Sequence, residues 1–187
     1  EFEGATASAS RVEYADFNGG AMGQPACRLR NTGKNMILFD HVSFRNFNNE
    51  AEWDPESESR NGGAIRCDGS DVEFKSCVFA GNSTGGDGGV LSLCDSAVNM
   101  LSCSFRNNAA SGQGGVLCSY GLGATLRLIE CVFEGNRSDS WGGALNVHYN
   151  ETHITDCRFL SNTAGSGGAI ANFEASVYVR KCHFSKN

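Results

Sequence analysis

The chain has 187 residues, 24 of them glycine and only 2 proline, with a formal net charge of −6 and a pI near 5.2. That length suffices for one domain with its own core, and glycine without proline marks turns and close packing rather than a disordered linker. The acidic balance argues against a nucleic-acid or anionic-membrane partner. No apolar run approaches the roughly 18 residues of a membrane-spanning helix, so no membrane insertion is expected.

Residues 1–61 read as an irregular N-terminal coil with two insertions. The first ten residues carry neither the basic nor the apolar region of a secretory leader. Gly19-Gly20-Ala21-Met22 and Val42-Ser43-Phe44 are expected to belong to one coil, with Gln24–Lys34 looping out of it. A second insertion, Asn49–Arg60, holds five acids and Trp53. It reads either as a solvated acidic loop or as a contact or cation-binding loop, because function on solenoids collects where single repeats carry insertions.

From residue 62 to 187 one sentence is written five times. Its opening is Gly62-Gly63-Ala64-Ile65, Gly88-Gly89-Val90-Leu91, Gly114-Gly115-Val116-Leu117, Gly142-Gly143-Ala144-Leu145 and Gly167-Gly168-Ala169-Ile170. Its close is a Cys-x-Phe-x-x-Asn motif, with Phe79 and Asn82, Phe105 and Asn108, Phe133 and Asn136, Phe159 and Asn162, and Phe184 and Asn187. The Gly-Gly starts lie 26, 26, 28 and 25 residues apart, the long interval holding the extra turn Gly121–Ala124. Such a period means a solenoid. Alternation with period two in each segment, as in Ile65/Cys67, Val72/Phe74 and Cys77/Phe79, means strands rather than helices.

Three strands per coil give a parallel β-helix of about six coils, right-handed by the crossover rule. At about 4.8 Å per coil the rod is roughly 30 Å long. The motif phenylalanines are expected to form an internal ladder. The asparagines should stand at a turn that uses left-handed dihedrals, with their amides bonded up and down the column. The glycine pairs should sit where the chain bends and a side chain would clash. The last coil ends on its own motif with no polar cap, as expected of a segment of a longer solenoid.

Cys77, Cys103, Cys131, Cys157 and Cys182 occupy one repeat position and should form an inward column. Their spacing permits disulfides, while in-register strands suit stacked thiols equally. Some disulfides are expected, and with them a surface or secreted location. No Cys-x-x-Cys and no paired histidine spacing occurs, so no metal is expected, and no cofactor. Of three glycosylation sequons, at Asn82, Asn136 and Asn150, the first two coincide with the ladder, which leaves Asn150 as the accessible site.

The outward positions of the tetrad strand, Ala64/Arg66, Val90/Ser92, Val116, Ala144/Asn146 and Ala169/Ala171, look small and bland. Those of the middle strand include Arg127, His153 and Arg180, a mixed basic patch that could bind an acidic glycan. No two carboxylates stack across neighbouring coils as a glycosidase would need. The nearest approach to a catalytic group is His148, His153, Asp156 and Arg158, which lie on different strands, so no enzyme is expected.

The paired GGA[ILV] and FxxN repeats resemble the signature of the polymorphic membrane proteins of Chlamydiae. The resemblance covers residues 62–187 and, loosely, 19–48, where Phe47 stands in place of the asparagine after Phe44. It implies a β-helical passenger displayed at the outer membrane, or secreted, that attaches to a host-cell receptor or surface glycan. It also ties adhesion to the repeated motifs themselves, although their physical role reads as scaffold. The regular cysteine is stricter than that family leads one to expect, and similar Cys-containing repeats occur in surface proteins of microbial eukaryotes. Two alternatives stay open: a carbohydrate-binding or carbohydrate-active β-helix, and a structural spacer that associates end to end. Trp53, Arg127, His153 and Arg180 are the candidate ligand surface.

Overall fold

A computed structural model describes residues 2–3, 11–19, 25–49 and 62–187. The regular strands pair only in parallel, each with its counterpart one coil away, as an all-parallel β-solenoid of about six coils. Among the described residues the strands form three sheets, of 12, 7 and 4 strands. The largest holds two walls, the tetrad strands and the middle strands, joined through the continuous strand Ile65–Lys75. The second is the phenylalanine wall. The third consists of two-residue strands such as Ser83–Thr84 and Ala109–Ala110, just past each asparagine, a short side that the three-strand reading left out.

The phenylalanine wall carries the core. Phe17, Phe44, Phe79, Phe105, Phe133, Phe159 and Phe184 are in register. From Phe79 to Phe184 their rings stack at 4.7–4.9 Å with planes within 5°. Parallel pairing forces like residues into one column, and an offset stack of rings fills the prism while removing large apolar areas from water.

At the other end of each strand the asparagine satisfies main-chain groups that the turn would leave bare. The main-chain N–H of Asn82 donates to Asn108 Oδ1 at 3.0 Å, and Asn108 Nδ2 donates to Phe79 O at 3.1 Å and to Asn136 Oδ1 at 3.0 Å. The same bonds recur at Asn136 and Asn162. The left-handed residue is not the ladder asparagine. It is the residue before it: Gly81, Asn107, Gly135, Ser161 and Lys186 have φ of 52–66°. The asparagine is placed by its amide bonds, not by its dihedrals.

A second left-handed residue, at Ser76, Ser102, Glu130, Asp156 and Lys181, turns the chain into each cysteine. The first glycine of the later pairs is a third, with φ of 70° at Gly88. A side chain there would have to fit 2.0 Å from Leu91 O, because the chain doubles back onto its own tetrad. At Gly89 a Cβ would lie 2.2 Å from Gly115 O, the next coil's backbone.

All nine cysteines are free thiols, so the expected disulfides are not borne out. The column is held otherwise. Cys103 Sγ donates to Leu101 O at 3.4 Å and Phe74 O at 3.5 Å, while the N–H of Cys131 donates to Cys157 Sγ at 3.4 Å. A small, weakly polar group satisfies backbone between coils here, as the asparagine does at the far end of the strand.

The N-terminal coil differs from expectation. Cys27–Asp40 is one strand, with Cys27 opposite Ile65 and register shifts around Gly33, so residues 27–34 do not loop out. The counterpart of Ile65 is therefore Cys27. Gly19 follows Phe17 and donates to Arg45 O as Gly81 donates to Arg106 O, which places it in the turn after an earlier rung. Left-handed turns of both kinds recruit glycine, and this one imitated a tetrad. The insertion at 50–60, including Trp53, lies outside the described residues.

Candidate binding faces

The middle wall presents two outward columns. One runs Glu73, Asn99, Arg127, His153 and Tyr178; the other runs Lys75, Leu101, Ile129, Thr155 and Arg180. The structure brings His153 and Arg180 to one shallow groove with Thr155 and Tyr178, and leaves Arg127 one rung away. His153 stacks on Tyr178, with ring centroids 4.8 Å apart, and its Nε2 lies 2.6 Å from Glu151 Oε1. That carboxylate makes the wall mixed in charge, as its sequence suggested. His148, His153 and Arg158 stand on three different walls and are not assembled into a group.

The tetrad wall is not the bland outer face expected. Ala64, Val90, Val116 and Ala144 are fully buried, and so are Cys118 and Asn146. The turns before Gly88, Gly114 and Gly142 bring Asp87, Gln113 and Trp141 to this wall. Next to the buried column, Tyr120, His148 and Phe173 are aligned in successive coils and stack at 4.6 and 4.8 Å. Tyr120 Oη donates to Asp87 Oδ2 at 3.0 Å and also contacts Gln113 Oε1. Asn146 Nδ2 meets Gln113 Oε1 and lies 2.7 Å from His148 Nε2, while Asn146 Oδ1 is buried with no partner. Trp141 packs at 54° to Phe173 and is 39% exposed; Tyr149 is tilted 45° to His148 and is 47% exposed. The one sequence signal was positional: Tyr120, His148 and Phe173 each stand three residues past the last tetrad residue.

Three segments of the chain, residues 102–120, 130–147 and 156–172, match the Chlamydia polymorphic membrane protein repeat. Each matched segment runs from the turn before a cysteine, through Phe-x-x-Asn and Gly-Gly, into the next tetrad strand. The middle wall with Arg127 and His153 falls in the gaps, and the aromatic column stands at or just past the end of each segment. The shared unit is therefore the scaffold of the coil. No curated protein and no solved structure matches the chain.

Among the described residues no cluster of three or more histidine, cysteine or acidic side chains could hold a metal ion, and no helix is long and apolar enough to cross a membrane. The Asn150 sequon is closed. Asn150 is 5% exposed, its Nδ2 donates to Ser119 Oγ at 2.6 Å and its Oδ1 accepts from Thr152 Oγ1, so a glycan would have to displace a buried network.

Proposed function

We propose that this solenoid is an adhesive rod of a cell-surface or secreted protein, binding a host-cell receptor or an extracellular ligand through its lateral walls and not catalysing a reaction. The match of three coils to the chlamydial repeat carries the reading. The geometry supports it by dividing labour. Motif glycines, phenylalanines and asparagines point into the coil or along the column, leaving the walls for contact. Adhesion by such a rod is spread over stacked rungs, each of modest affinity, and gains strength by multivalency.

The test is binding of beads coated with the chain to a panel of host cells, against beads carrying an unrelated β-solenoid. Saturable attachment that soluble chain competes away is the expected result. Attachment no better than the control would overturn the adhesive reading in favour of a structural spacer.

A further inference from the structure

We infer that the tetrad wall around Trp141 and Tyr149 is a binding site for an uncharged glycan, an inference that rests on the adhesive reading and names its ligand class. Two features set this wall apart from the middle wall. Its exposed rings are turned out of the stack: Trp141 at 54° to Phe173 and Tyr149 at 45° to His148. In the stack itself Tyr120, His148 and Phe173 cover one another's facing sides, and Trp141 and Tyr149 are the more exposed rings of this wall.

Between them lie amides and an imidazole. Asn146 Oδ1 is buried without a hydrogen-bond donor, and Gln113 Oε1 and His148 Nε2 are 3.1 Å apart beside it. An unmet buried acceptor costs stability. A ligand hydroxyl could reach this network only by displacing the Gln113–His148 contact, and would then take that amide and imidazole as its own partners. Rings that present an apolar surface, with amides at their feet, suit a ligand whose apolar C–H faces alternate with hydroxyls.

The electrostatics select an uncharged sugar. Asp87 is the carboxylate that reaches into the wall, and its oxygens already accept from Gln113 N and Tyr120 Oη. Among the described residues no lysine or arginine takes part in the cluster, so an anionic polymer would find no counter-charge from them there.

The experiment uses the whole chain carrying Trp53→Phe, which leaves Trp141 as its single indole. Soluble neutral oligosaccharides (gluco-, manno-, xylo- and N-acetylglucosamine oligomers) are titrated against Trp141 fluorescence, with a sulfated oligosaccharide for comparison. The expected result is a saturable change for a neutral oligomer, insensitive to added salt and at least tenfold weaker in Tyr149→Asn, a replacement that tolerates the left-handed backbone there. Trp141→Ala, followed by calorimetry, should lose binding with its melting temperature held; Arg127→Ala on the middle wall should change nothing. Silence across the neutral panel, or binding of the sulfated sugar alone that salt abolishes, overturns the inference. If coated beads still attach to cells in that event, the adhesive reading stands and only its ligand class has failed.

Discussion

The phenylalanine and asparagine of each motif act at opposite ends of one short strand, by different physics. Phe105 is fully buried between Phe79 and Phe133, so Phe105→Ala removes a ring and leaves a cavity that flanking rings cannot close. We expect a loss of about 3–5 kcal/mol in chemical denaturation; a loss below about 1 kcal/mol would mean that the ladder carries little of the core. The glycines offer a cleaner contrast. Gly89→Ala would place a methyl 2.2 Å from Gly115 O, whereas nothing lies within 4 Å of a Cβ at Gly123. The first should cost on the order of the 1–3 kcal/mol of an overpacked core or more, and the second should be tolerated, both read by thermal melting.

Thiol chemistry is also decided residue by residue. Burial pushes the Cys27 thiol up to about 11, and burial raises Cys67 well above the usual range. In the unfolded chain a thiol ionises near 8.5–9, so between that pH and about 11 the unfolded state loses protons that the folded state keeps. Stability contributed by these neutral thiols is fully present below about pH 8.5 and is lost as pH rises toward 11. A melting temperature that falls across this window is the expected result; a flat profile would contradict it. Cys94 is the exposed thiol and should react first with a disulfide reagent, ahead of the inward column, which should react on unfolding.

The strands, their faces on the phenylalanine wall and the two ladders were legible in the sequence because parallel stacking repeats each contact once per coil. What escaped was whatever broke that repetition or came from another segment. Ala64, Val90, Val116 and Ala144 alternate as outward residues should, yet they are buried, and alternation within a strand carries no trace of cover that comes from elsewhere in the chain. Gly19 looked like a tetrad because left-handed turns and tetrads draw on the same residue. The left-handed position lay one residue before the asparagine, where Gly, Asn, Ser and Lys alternate and no single type announces it. His153 and Arg180 did meet on one groove as their rung spacing implied, but the more structured wall, with Tyr120, His148 and Phe173, was written in three different residue types and so did not read as a column.

At the scale of the whole molecule the solenoid is a stack of nearest-neighbour contacts, so damage in one coil weakens that coil and its two neighbours rather than a shared centre. Scaffold and proposed contact surface are thereby separable: the repeated motifs hold the rod, and the walls are left for the proposed contact. The most direct measurement follows Asn108→Ala, which removes the side-chain partner of Phe79 O and of the Asn82 N–H, while Asn136 Oδ1 keeps the main-chain N–H of residue 108. Leaving such groups unmet costs about 1–3 kcal/mol each. Melting temperature and bead attachment to host cells are read on the same preparation. Attachment is expected to fall only as far as the folded fraction falls, and to return on cooling below the lowered transition. Attachment lost while the melting temperature stays unchanged would make the asparagine itself the contact, and would contradict the division between scaffold and binding wall.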